Sequence, residues 1–188
     1  MLILAGTVLA MLLVPLLGGR LSGLATIELR GGRLLAGALG LQVLAFTVFP
    51  TWPHALLVAM HAASYALAGV FVWVNRRLPG LLLLASGGAL NALAIAANGG
   101  QMPASEAAVR QVGLPVDVDH FVNSGVLAEP RLLVLGDVFA SPDWLPLRNV
   151  YSVGDLLLLA GAVWVVHSAC GTVLARDPRP WLRGARAG

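Results

Sequence analysis

Asp137 and Asp155 are the side chains of this sequence best placed to do chemistry. Asp137 ends an apolar run at Leu135-Gly136-Asp137, and Asp155 opens the last long apolar segment. Two carboxylates brought within a few ångströms cannot easily both ionise, so one keeps a proton and acts as an acid while the other activates water. That pairing makes them a candidate acid/base dyad. The alternative is structural, with Asp155 capping a helix N-terminus and Asp137 paired with Arg131 or Arg148. His120, in Val116-Asp-Val-Asp-His120, joins the dyad as a third candidate catalytic group. With Asp117 and Asp119 it has metal-ligand chemistry but lacks a further ligand, so no metal is expected.

A second set of polar residues interrupts segments that are otherwise apolar. Gln42 precedes Phe49 by seven positions, His61 follows His54 by seven, and Asn91 precedes Asn98 by seven. On helices this sets all three at a matched depth of about 10 Å. Tyr65 shares a helix face with His61 at i, i+4, with Ser64 adjacent. Gln42, His61, Tyr65 and Asn91 either pack helices together by hydrogen bonds or line a cavity open to one face, with Asn98 and Gln101 at its mouth. His61 and His167 differ in depth by about 8 Å, too far apart for bis-histidine haem, so no cofactor is expected. Cys170 has no partner cysteine and reads as a small packing residue.

These residues must be positioned by membrane helices. Of 188 residues, 58% are hydrophobic and 11% charged, well below the charge of about 25% typical of soluble domains. Five long apolar stretches cover about 2–17, 34–49, 54–74, 81–97 and 153–174. A bilayer core of about 30 Å takes about 20 helical residues, so each can span alone or with its flanks, and backbone in hydrocarbon must be helical. The first stretch lacks a basic lead-in and reads as a retained helix, not a cleaved signal. The expected fold is thus all-α: one polytopic five-helix bundle, with an outer cap over 98–152 and a basic tail over 175–188.

All twelve basic residues are arginines. Sorted by alternating connections, nine fall on one side, and only Arg110, Arg131 and Arg148 on the other. The excess sets the amino terminus outside and the carboxyl terminus in the cytoplasm. Arginines beside apolar segments are orientation signals, and without a basic stripe elsewhere no nucleic-acid partner is expected. Within the cap, Pro103 to Gly113 reads as a short helix with Ser105 as N-cap, Glu106 in the first turn and Gly113 beyond the end. Pro130 to Gly136 is a second apolar piece, too short to span. The Gly-Gly pairs beginning at Gly18, Gly31, Gly87 and Gly99 lack the strand-to-helix context of a phosphate loop and read as helix ends and close-packing points.

The segments Asn98-Gly-Gly-Gln-Met-Pro103, His120, Leu135-Gly136-Asp137 and Ser152-Val153-Gly154-Asp155 resemble those of DUF5317, a bacterial family of small integral-membrane proteins of unknown function. The resemblance covers nearly the whole chain and implies a membrane fold, but no activity. A fainter similarity is to the lipoprotein signal peptidases, membrane aspartic peptidases with two outer-face carboxylates, through the separation of Asp137 and Asp155. Val138 stands where those enzymes have arginine, and Arg148 to Asp155 does not reproduce their Phe-Asn-x-Ala-Asp element. Two functions follow as expectations. One is a polar outer-face site that binds or processes a membrane lipid or other amphiphile. The other is a non-catalytic accessory or assembly subunit whose cap docks other membrane protein subunits.

Overall fold

A computed structural model describes residues 2–116, 124–142, 144 and 148–175. It is mainly helical: α1 (Leu2–Leu13), α2 (Gly32–Val43), α3 (His54–Asn75), α4 (Leu81–Ala97), α5 (Glu106–Gln111) and α6 (Val153–Ala169). Short strands β1 (Met102–Pro103), β2 (Ser124–Gly125), β3 (Phe139–Ala140) and β4 (Val150–Tyr151) lie between α4 and α6. α1 packs on α6, α6 on α4, α4 on α3, and α3 on α2. Among the described residues one helix, α3, is long and apolar enough by itself to cross a membrane. The other apolar helices are shorter, 10–17 residues each.

The helix ends explain those lengths. The first apolar stretch stops being helical at Leu13, four residues before its hydrophobicity does, because Pro15 has no N–H to donate and its ring crowds the preceding turn. The last helix ends at Ala169 and not Leu174. Gly171 takes a left-handed φ of 64°, Thr172 N–H donates to the His167 carbonyl and Gly171 N–H to that of Ser168, the two bonds of a Schellman stop. The same stop closes α5 at Gly113 and Leu114, and α4 ends with its longer bond, Gly100 N–H to the Ile95 carbonyl, after Gly99 at φ 65°. α2 runs on through a π-helical turn at Leu44–Val48, which widens the helix beside α3.

Glycine sets the spacing of α4 and α6. A Cβ at Gly87 would overlap the Gly154 carbonyl, and one at Gly161 the backbone of Leu84. The two backbones therefore touch along a seam of Gly80, Gly87, Gly154 and Gly161, as helices do where the gain comes from close contact. The cap has its own core, in which Ala104, Ala108, Val109, Val112 and Val150 are buried. Ser105 precedes α5 as expected but makes no side-chain cap bond. Pro130 to Gly136 forms a 3-10 turn at Leu133–Leu135, entered through Leu132 at φ 53°.

Two asparagines fix the loops to the helices. Asn75, at the end of α3, donates to the carbonyls of Phe71 and Arg30 and accepts from Arg30 N–H, each at 2.8 Å. Asn98, at the end of α4, donates to the carbonyls of Ala94 and Arg131 and accepts from Arg131 N–H, at 2.7–2.8 Å.

Candidate functional site

Asp137 is held by the cap's small parallel sheet. β1 pairs with β2 on one side and, through Ala104, bridges to Asp137 on the other. Asp137 N–H donates to the Pro103 carbonyl and its own carbonyl accepts from Ser105 N–H. Gly136 must be glycine, because a Cβ there would overlap the Pro103 carbonyl. This geometry buries the Asp137 carboxyl, and Ser124 Oγ donates to its Oδ2.

Asp155 is held by the start of α6. Its backbone N–H donates to Ser152 Oγ at 2.9 Å, and its Oδ2 accepts from Ser152 N–H at 3.1 Å, a reciprocal capping box. Asn91 on α4 completes the arrangement: its Nδ2 donates to Asp155 Oδ1 at 2.9 Å, and its Oδ1 accepts from Ser152 Oγ at 2.9 Å. Gly154 leaves room for that amide, since a Cβ there would overlap Asn91 Oδ1.

The two carboxylates interact through space. Burial pushes the Asp137 carboxyl up to about 6, the nearby negative charge of Asp155 adds to the rise, and the Ser124 hydrogen bond opposes it. Among the described residues no arginine pairs with Asp137, and Glu106–Arg110 is the only ion pair. The expected pairing with Arg131 or Arg148 is therefore corrected. Arg131 has its backbone clamped by Asn98, and Arg148 lines a separate hollow with Arg110. No hydrogen bond joins the two carboxyls; they couple by charge. Asp155 caps a helix, as its structural reading expects.

The remaining candidates divide. Tyr65 packs against Ala94, Ile95 and Met102 with Leu135, within electrostatic reach of Asp155. It belongs with the carboxylates. Gln42 and His61 form a different cluster, on the α2–α3 seam: Gln42 Nε2 donates to Ser64 Oγ at 3.2 Å, and Ser64 Oγ donates to the His61 carbonyl at 2.7 Å. The single three-helix cluster expected from matched depth is thus two seams, because Asn91 bonds to α6 instead. Asn98 is committed to the Arg131 backbone, and Gln101 is half-buried in the turn before β1. His120, Asp117, Asp119 and Asp143 lie outside the described residues. Ser124 was not anticipated, because its value depends on strand pairing that no local pattern announces.

His61 is buried between Phe46 and Tyr65, ring centroids 4.9 and 5.0 Å away and edge-on, and neither ring nitrogen has a hydrogen-bond partner among the described residues. An unsatisfied buried polar group destabilises by about 1–3 kcal/mol. His61→Leu is therefore expected to raise stability by about 1–2 kcal/mol in thermal unfolding. A loss of that size would mean that the imidazole is engaged by a group in the native protein.

The match to the DUF5317 model, a family of unknown function, covers residues 26–167. The chain belongs to this family. The matched region contains Asn91, Asp137 and Asp155, so the carboxylate site lies within the family's own segment, whereas α1 precedes it. The chain is also similar to an uncharacterized protein of Thermotoga maritima, 34% identical over 93 residues, which cover 48% of this chain. The chain spans about half of that relative's length, 52%. No solved structure matches.

Proposed function

We propose that this DUF5317 protein is an integral protein of the bacterial cytoplasmic membrane, with five spans, its amino terminus outside and its carboxyl terminus inside. In this reading Asp137, Asp155, Asn91, Tyr65 and Ser124 form an outer-face site that binds or processes a lipid or other amphiphile. The observation that carries it is the buried Asp137 carboxyl, free of any arginine among the described residues and raised towards neutrality beside Asp155. A group that holds a proton near pH 6 can give it to a substrate oxygen or take it back. Asp155 is oriented by Asn91 and Ser152. Asp137 as acid and Asp155 as base is the division of labour that follows.

The membrane part of the reading is supported by what the helices expose. Leu4, Leu12, Trp73, Leu82 and Leu93 are each more than half exposed, while the polar side chains His61, Ser64 and Asn91 turn inward. That is the reverse of a water-soluble bundle. α3 rises about 33 Å, enough for the hydrocarbon core, and the helices of 17 residues reach about 25 Å before their flanks are counted.

The test is amphiphile retention by the full chain purified in mild detergent. Native mass spectrometry should find a lipid-class molecule held by the wild type and lost from Asp137→Asn, with near-ultraviolet circular dichroism unchanged. Equal retention by both would remove the site reading. The second reading, an accessory subunit, is favoured by one observation: Val134 and Trp144 on the cap are 71% and 80% exposed. On that reading they meet another membrane subunit; on the first they enter the outer leaflet.

A further inference from the structure

At the opposite end of α3 from this site, the loop before α2 and the turn after α3 enclose a hollow of about 490 Å³. Glu28, Arg30, Asn75, Arg76, Arg77 and Pro79 are among its lining residues. We propose that this hollow binds a phosphate group, from the headgroup of an anionic membrane lipid or from a free phosphate compound.

Three arginines face one glutamate there, and among the described residues no carboxylate forms an ion pair with any of the three. A guanidinium is a planar, weakly hydrated fork of donors that matches phosphate oxygens, and three arginines against one glutamate in the lining leave net positive charge for an anion to neutralise. The hollow is built, because its two walls are tied together. Asn75 grips both the N–H and the carbonyl of Arg30, and Arg76 and Arg77 follow Asn75 directly. Three carbonyls near the end of α3, which would repel an anion, are engaged: Phe71 accepts from Asn75 Nδ2, Trp73 from Arg76 Nη1 at 2.8 Å, and Asn75 from Leu78 N–H. α4 begins two residues beyond Pro79, with no acidic residue in its first turn and no side-chain cap at Gly80, so its positive end stands beside the hollow.

A lipid is the favoured source. The Arg76 guanidinium lies 4.5 Å over the ring of Trp73, which is itself 67% exposed, and exposed Leu82 lies on the first turn of α4. An aromatic and a cation side by side at the edge of an apolar belt suit the headgroup level of a bilayer. Its size, within the range of small-molecule pockets, suits a headgroup better than a bare ion. The phosphate chemistry does not depend on the outer-face site, and a free phosphate would need no membrane.

The test uses the full chain in a neutral detergent at low salt, its thermal unfolding midpoint followed with phosphatidylglycerol, phosphatidylcholine or inorganic phosphate added. Phosphatidylglycerol should raise the midpoint more than phosphatidylcholine, and the gain should fall as sodium chloride rises. In the double variant Arg30→Gln/Arg77→Gln its apparent affinity should drop by roughly an order of magnitude. Arg110→Gln/Arg148→Gln, at the other end of the molecule, should respond as the wild type does. A gain from inorganic phosphate equal to that from phosphatidylglycerol would keep the site and assign it to a free compound. No gain from either, equal gains from the two lipids without one from phosphate, or a full response in the double variant would overturn the proposal. Should the glutamine variant fail to fold, Arg30→Lys/Arg77→Lys keeps the charge without the fork. Weaker binding supports the assignment, and unchanged binding defeats it.

Discussion

Gly154→Ala is expected to destabilise the protein by about 3 kcal/mol or more, among the largest effects for adding one methyl group. The new Cβ would occupy the position of Asn91 Oδ1 and press on the Gly87 carbonyl at 2.7 Å. Neither obstacle is the far end of a flexible side chain. Asn91 is held at both ends of its amide, by Asp155 and by Ser152, and Gly87 is helix backbone. Relief must come from separating α4 and α6, which opens the whole glycine seam, or from expelling the Asn91 amide, which leaves buried donors and acceptors unpaired. Urea unfolding in detergent should show a lower midpoint, and retention of the proposed amphiphile should fall with it. Gly88→Ala is the control: its nearest contact is Leu158 Cδ2 at 3.9 Å, and it should be close to neutral or slightly stabilising. Equal behaviour of the two variants would mean that the helices are not in backbone contact.

Asp137 should make the protein more stable in mild acid than at neutral pH. Its carboxyl is raised to about 6 in the folded protein, from an ordinary value of 3.8. The folded state therefore keeps a proton that the unfolded chain releases, and its contribution is complete below pH 3.8 and lost as pH rises through about 6. Two pH units at about 1.4 kcal/mol each give about 3 kcal/mol between those limits. Asp137→Asn retains an oxygen for the Ser124 hydroxyl but cannot ionise, so its stability should be flat across the same window and exceed that of the wild type at pH 8 by about 1–2 kcal/mol. Asp155→Asn, by removing the neighbouring charge, should move the wild-type transition to lower pH. Parallel pH profiles for wild type and Asp137→Asn would show that Asp137 is not the proton-holding group. The native protein would on this account tolerate a stability cost at neutral pH for keeping an acid near its outer end, as functional sites commonly do.

The helices were legible because apolar runs of helical length have few alternatives, and α3 and α4 start and stop within a residue of their hydropathy limits. Hydropathy misjudged α1 and α6 because it does not register backbone chemistry. Pro15 and Gly171 end those helices while the side chains beyond them remain apolar. For the site, residue type and position singled out Asp137 and Asp155. What surrounds them could not be read locally. Ser124 reaches Asp137 only because β1, β2 and the bridge at Ala104 register three distant pieces of chain. Asn98 and Asn91 look alike in sequence as polar residues on one helix, yet one grips a loop backbone and the other a carboxylate. The difference lies in what the cap brings to each.

The asparagine clamps make the α3–α4 pair a mechanical transmission. Asn98 rides on α4 and holds Arg131 by both backbone groups, directly ahead of the Leu133–Leu135 turn and Asp137. A sliding or tilting of α4 must drag this side of the cap along, so neither Arg131 nor Arg30 can serve as a hinge while its clamp is intact. Asn91 is anchored on the same helix and holds Asp155. Both carboxylates are thus tied to one rod, so a displacement of α4 would carry the two together.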